Sequence, residues 1–501
     1  MKKHSIFTAV IIVILLAMHS ASSAASFLPF TSYTYSNTGG SVHVIESPAP
    51  YVPFSFVDSA VIGVEIQDPQ DMVIDDTGNI YIADAGSNRI LILDKDNSLV
   101  NLFGPEIMLP DGSVSNFRNP SGIAVTDDGE IYVADTGNSR IVVLEASGKV
   151  RNVFAAPEVD TFSQNYKYTP AKLAVDKTKR IYVVSKTDNM GIIELDPLGD
   201  FVGYIGSNKA VVDPIELLWK RLFYSKEQNE KSIQAIPVEY TNISMDDRGF
   251  IYAVSSARLE STPVKRLNPS GKDILRREGI GNTVTGDIVT MMSDASVMVD
   301  IAGAGNEVFF VLDNSKGRIF CYNGDGYLLH AFGALGDQSG TFRTPVAIEY
   351  SQGDLYVLDS SMKGFTVFKP TSYGKAILEG DRLYYLGKYE ESIVYWEDVI
   401  RQNSNFELAY AQIGKVLLRE GKYKEAMEYF KLGNMRGDLI LQESGYNKAL
   451  SEYRSEYLTS NLGTILTAAL ILITVLIVWQ IISSAKKKKK VMTKRYDGEE
   501  E

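Results

Sequence analysis

Hydrophobic and polar positions between Pro69 and Phe368 follow one pattern six times over. An apolar run of four to six residues meets an acidic-glycine turn, a second apolar run ends in Asp or Ser, and a third run follows. The clearest copies are PQDMVIDDTGNIYIAD at 69–84 and PSGIAVTDDGEIYVAD at 120–135, in register at an offset of 51 residues. Short runs rich in Val, Ile and Tyr between Asp, Asn and Gly turns predict strands. Several such strands in a unit of about 40–50 residues predict one blade of a β-propeller. The fold expected is therefore mainly β: a six-bladed propeller.

The third copy runs through Pro170–Val175 and Ile181–Ser185, and the fourth through Ile243–Asp247 and Phe250–Val254. The fifth holds Met298–Ile301 and Val308–Asp313, and the sixth Pro345–Ile348 and Leu355–Asp359. The sixth copy has only three strands, whereas Tyr51–Val64 is a strand-like stretch with no partner. Ring closure by that N-terminal segment completes the last blade and removes an exposed edge. The propeller is accordingly placed at 51–370, with 51–64 as the closing strand and 205–239 as an insertion between blades three and four. Within the insertion, Asp213-Pro214 is followed by apolar residues at helical spacing. Trp219 there is a candidate partner anchor, or it packs the helix onto the disk.

These units resemble NHL repeats, most closely in IYIADAGSNRI at 80–90 beside IYVADTGNSRI at 131–141. The Asp, Asn and Arg of that turn are assigned to satisfying backbone groups and holding adjacent strands. The paired acids Asp75-Asp76 and Asp127-Asp128 are assigned to hairpin turns.

After the propeller the period changes to 34 residues. Gly380 and Gly414, Gly387 and Gly421, Tyr389 and Tyr423, Ser392 and Ala426, and Trp396 and Phe430 are each separated by that interval. The pattern resembles tetratricopeptide (TPR) repeats, so 371–435 is read as two TPR-like hairpins and 436–461 as a connecting helix. Tyr384, Tyr385 and Tyr410 either line a peptide groove or pack the helices together.

Two apolar stretches set the expected compartment. Lys2-Lys3, the run Ile6–Met18 and the small residues to Ala25 read as a secretory signal over 1–24, leaving 25–50 as a linker. Leu462–Ile482 carries no charge over 21 residues, enough to cross a hydrocarbon core of ~30 Å. Lys486–Lys490 follow at once, placing the tail 483–501 in the cytoplasm by the positive-inside rule. Everything between is then extracellular, on a single-pass cell-membrane protein. Cys321 is the only cysteine, so no intramolecular disulfide forms. With a net charge of −12, and both ends of the chain carrying net positive charge, the remainder is strongly acidic, which argues against nucleic acid as a partner.

Candidate chemistry is sparse. The chain has four histidines; His4 and His19 lie in the signal, leaving His43 and His330. A multi-histidine metal site of the peptidyl-hydroxyglycine lyase kind is not assembled from two, and a Ser-His-Asp set is not expected with so few. Gluconolactonase-like propellers hold a divalent cation with carboxylate and amide oxygens. At the corresponding motifs this chain has Gln67-Asp68-Pro69 and Pro120-Ser121-Gly122, which lack expected ligands. No metal or other cofactor is assigned. Residues at the start of the inner strands, namely Gln70, Ser121, Lys172, Asn242 and Thr344, are the candidate ligand contacts around the axial opening.

The order signal, propeller, TPR-like pair, membrane helix and lysine tail resembles surface-anchored NHL proteins of Gram-positive bacteria. That resemblance implies an accessory role in carbohydrate capture or ABC-type import, with an importer, its solute-binding protein or a glycan as partner. Two readings follow: a membrane-anchored binding or scaffold protein, and a divalent-metal-dependent lactone or sugar-ester hydrolase. Lactone turnover abolished by a chelator separates them.

Overall fold

The computed structural model describes residues 28–38, 41–157, 167–186, 189–207, 239–256, 262–288, 295–434 and 439–496. The signal-peptide assignment and Trp219 lie outside the described residues. The chain divides into two compact units, 1–406 and 407–501.

Six antiparallel sheets make up most of the first unit. Their first strands are Pro69–Ile74, Pro120–Val125, Pro170–Val175, Tyr240–Met245, Met298–Gly303 and Pro345–Ser351. Each lies beside the next, and the sixth lies beside the first, so the ring closes. The architecture is a six-bladed β-propeller.

Burial explains the sequence pattern. Second strands such as Ile80–Asp84, Ile131–Asp135 and Ile181–Ser185 are buried at every position, because each blade is covered on both faces. They therefore read as continuous apolar runs rather than alternating ones. The fourth strand of blade one, Leu99–Phe103, lies at the rim, with Val100 and Asn101 exposed and only Phe103 buried.

The last residue of the second strand latches each blade to its own inner segment. Asp84 Oδ1 accepts from the Gln67 and Asp68 amides at 3.0 and 3.1 Å, while Arg89 Nε reaches Oδ2 at 3.0 Å. Asp135 repeats this with the Arg118 amide at 2.7 Å and Arg140 Nε at 2.7 Å. Asp313, Asp359 and Ser185 accept backbone amides at the corresponding place in blades five, six and three. The repeat's polar residues thus serve the fold. The Asp75 carboxylate likewise closes its turn by accepting from the amides of Thr77 and Asn79 at 2.9 and 2.8 Å.

Closure uses the N-terminal strand: Tyr51–Asp58 pairs antiparallel with Gly364–Pro370 as the fourth strand of blade six. The segment 25–50, expected as a linker, instead contains a hairpin of Tyr33–Thr38 and Ser41–Glu46 that extends blade five through Tyr33 opposite Ala331. Tyr33 and Tyr35 are buried, but so are Thr34 and Ser36 between them. With both faces covered, the strand shows no apolar alternation. A second small ribbon, Glu106–Met108 with Val114–Asn116, was also not expected.

The first unit ends in a helical hairpin, α1 (Ser372–Tyr385) and α2 (Tyr389–Gln402). Thr371 caps α1 by accepting from the Gly374 amide at 3.2 Å. Helix α1 docks on the propeller: Asn323 Nδ2 donates to buried Asp381 at 3.0 Å, and Arg248 donates to the Tyr385 hydroxyl at 2.6 Å. Gly380 lets the hairpin close, since a Cβ there would come within 2.9 Å of the Trp396 ring.

The second unit contains α3 (Glu407–Arg419), α4 (Tyr423–Asn434), α5 (Leu439–Ser460) and α6 (Leu462–Tyr496). Here a Cβ at Gly414 would come within 2.8 Å of the Phe430 ring, as one at Gly380 would approach Trp396, so the 34-residue period corresponds to a repeated helix–helix contact. In α6, Leu462–Lys488 is long and apolar enough to cross a membrane. Its apolar side chains, Leu470, Leu472 and Trp479 among them, are exposed all round.

Candidate functional site

Inner strands converge on the propeller axis, and their register decides which side chains meet there. In every blade the pairing of first and second strands shifts between the first and third residues of the inner strand. The second residue is the bulge, and the third re-enters the ladder. The third positions are Asp71, Gly122, Lys172, Asn242, Asp300 and Ala347.

Four of these six are polar, and they are bonded to one another or to the next blade. Lys172 Nζ donates to Asp71 Oδ1 at 2.5 Å and to the Gln70 carbonyl at 2.8 Å, joining blades one and three. Asp71 Oδ2 accepts from the Ile123 amide of blade two at 2.9 Å. Asn242 Nδ2 donates to Asp300 Oδ1, and Asp300 Oδ2 accepts from the Ile348 amide of blade six at 2.6 Å. The gap that Lys172 spans is left by Gly122. A Cβ at Gly122 would strike the Ala171 carbonyl and come within 2.9 Å of the Lys172 Cα.

Glu349 adds a third carboxyl, two residues beyond Ala347 on the same strand. Burial raises the carboxyls of Asp71, Asp300 and Glu349 above their ordinary range, Asp300 to about 7. Lys172 pulls all three back down, while Asp71 and Asp300 raise Glu349 further. One ammonium is thus shared by three acids in a low-dielectric space.

Against this register, the five sequence candidates separate. Lys172 and Asn242 stand in the ring. Gln70 occupies the bulge and its side-chain amide turns to Asp68 at 2.7 Å. Ser121, also at the bulge, is buried, and its hydroxyl donates to the Asn119 carbonyl at 3.1 Å. Thr344 precedes its strand and shares a 2.7 Å hydrogen bond with Ser361. Asp71, Asp300 and Glu349 were missed. Counting two residues on from Pro69, Pro120, Pro170 and Pro345 finds the ring register, because that proline starts the inner strand in four blades.

Of the tyrosine candidates, Tyr410 is buried in α3, Tyr384 packs edge-on to Tyr389, and Tyr385 is exposed where it receives Arg248. His330 is fully buried among Tyr51, Phe310 and Phe332, and burial pushes its imidazole down to about 3. It faces neither the axis nor solvent, so it serves as an apolar core residue rather than a proton carrier. Among the described residues no three of His, Cys, Asp and Glu are arranged to hold a metal ion.

The fold and axis define a six-bladed propeller, and residues 67–93 and 117–144, in its first two blades, match the family described as NHL repeat. Among curated proteins, the chain is 27% identical to human NHL repeat-containing protein 3 over 124 residues, 24% of this chain and 33% of that protein. It is 28% identical over 126 residues to a probable peptidyl-alpha-hydroxyglycine alpha-amidating lyase of Caenorhabditis elegans, covering 25% of this chain and 35% of that one. The chain thus spans about a third of the length of these relatives. Among solved structures, virginiamycin B lyase from Staphylococcus aureus aligns over 63% of this chain and 99% of its own, at 12% identity and a TM-score of 0.39.

Proposed function

We propose that this protein is a membrane-anchored extracellular binding and scaffold protein, accessory to carbohydrate capture or ABC-type import. The observation carrying this reading is the state of the axis. Its polar residues are spent on one another and on neighbouring backbone, as a rigid hub requires, and the propeller's buried histidine is out of reach of any substrate. The docked hairpin α1–α2 stiffens one region of the disk further. The two helical hairpins act as TPR-type repeats, a reading supported by their shared glycine–aromatic contact. Helix α6 is the anchor, with the lysine run on the cytoplasmic side.

The test is affinity capture of the full-length protein from its own membranes, read by mass spectrometry. The control carries the same anchor with an unrelated ectodomain. Enrichment of an importer subunit or its solute-binding protein supports the proposal. Absence of both, or lactone turnover that a chelator abolishes, overturns it.

A further inference from the structure

Where the chain leaves blade six for α1, a cleft of about 570 Å³ opens between the propeller and the α1–α2 hairpin. That volume lies within the ~300–1,000 Å³ range of small-molecule sites. Its charges do not balance. Lys369 pairs with Asp354 at 3.1 Å, and Arg382 pairs with Glu379 at 2.6 Å. Lys375, seven residues before Arg382 and on the same face of α1, has no carboxylate partner among the described residues. A protein of net charge −12 therefore presents a cleft with one uncompensated ammonium.

Two features of the floor narrow the ligand. Asn306 and Gln352 occupy left-handed backbone, with φ of 49° and 51°, in the first hairpin turns of blades five and six. Glycine holds such a position with least strain, and glutamine is an uncommon choice for it. Neither side-chain amide has a hydrogen-bond partner among the described residues, so both are available to a ligand that offers paired donors and acceptors. Two tyrosines complete the lining: Tyr350, stacked on Phe310 at 5.6 Å, and Tyr395, 37% exposed. Free amides suit vicinal hydroxyls, an aromatic ring suits the apolar face of a pyranose, and the spare ammonium suits a carboxylate.

We infer that the cleft binds an acidic sugar, a uronic acid of one or two pyranose rings. Its carboxylate is neutralised by Lys375 and its hydroxyls are read by Asn306 and Gln352. The inference deepens the carbohydrate-capture reading above and rests on it.

The experiment is calorimetric titration of the detergent-solubilised full-length protein with digalacturonate, with its neutral digalactose counterpart, and with inorganic phosphate. Digalacturonate is expected to bind, with the neutral disaccharide at least about tenfold weaker and phosphate giving no heat. Lys375→Gln should cost about tenfold in digalacturonate affinity, the loss of one charge-assisted contact. Gln352→Gly should also weaken binding while leaving the melting temperature unchanged or higher, since glycine relieves the left-handed backbone. This second variant separates lost recognition from lost folding. Phosphate binding as tightly as digalacturonate overturns the sugar assignment. Equal binding of acidic and neutral disaccharides, unaffected by Lys375→Gln, overturns this site but leaves glycan capture standing. No binding of either sugar overturns the cleft assignment, while the import reading is decided separately by the affinity capture above.

Discussion

Replacing Lys172 with methionine tests the axial charge network. Lys172 Nζ lies 2.5 Å from Asp71 Oδ1 and 2.8 Å from the Gln70 carbonyl. The two side chains are only 11% and 9% exposed. Methionine keeps the stem and removes the charge, leaving the Asp71 carboxyl with the Ile123 amide as its remaining partner from another blade. Deleting one member of a buried ion pair costs ~3–5 kcal/mol. Asp300 and Glu349 lose the same counter-charge. At ~2 °C per kcal/mol, the low end of the range for domains of 150–250 residues and the end that suits a longer propeller, the melting temperature should fall by about 6–10 °C. Thermal unfolding followed by near-ultraviolet circular dichroism measures it. Asp71→Asn combined with Lys172→Met should recover at least half of the loss, because the unpaired acid is then gone. A single variant within about 2 °C of wild type, or a double variant showing simple additivity, refutes the reasoning.

Gly122→Ala places a methyl group against the Ala171 carbonyl and the Lys172 backbone. Separating two inner strands there should cost about 2–4 kcal/mol in urea unfolding, whereas an alanine within 0.5 kcal/mol of wild type contradicts the close approach. The pH dependence of stability has two opposed parts. The Asp300 carboxyl, ordinarily near 4 and here at about 7, keeps its proton in the folded chain after the unfolded chain has lost it, so its contribution falls as pH rises from 4 to 7. The His330 imidazole, ordinarily at 6.5 and here at about 3, gives the reverse, a contribution that grows as pH rises from 3 to 6.5. Asp300→Asn should therefore make the melting temperature rise more steeply between pH 5 and 6.5, and His330→Leu should make it fall; identical slopes in the two variants contradict the assignment.

The propeller was legible because its signal is periodic. Continuous apolar second strands, turn acids and inner-strand prolines recur with each blade, and the unpaired run at Tyr51 supplied the missing strand. The hairpin at 33–46 was not legible, since Thr34 and Ser36 are buried as thoroughly as Tyr33 and Tyr35. Its place is decided by contacts distant in sequence, such as the Tyr35 hydroxyl donating to Asp287 at 3.2 Å. At the axis, Lys172 and Asn242 occupy the ring register, whereas Gln70, Ser121 and Thr344 lie one to three residues before it. The bulge in each inner strand is a backbone feature that apolar alternation does not report. The cleft beside α1 was equally hidden, because it exists only where a helix docks across blades four, five and six. The 34-residue period revealed the helical hairpins without indicating that the first is fixed to the propeller through Asp381 and Tyr385.

Under the proposed function the propeller stands outside the cell and helix α6 is its anchor. Protease shaving of intact cells, followed by immunodetection of both ends of the chain, tests it most directly. Loss of propeller epitopes with survival of the lysine-rich C-terminal tail is the predicted result. Propeller epitopes that stay protected until the membrane is broken contradict it.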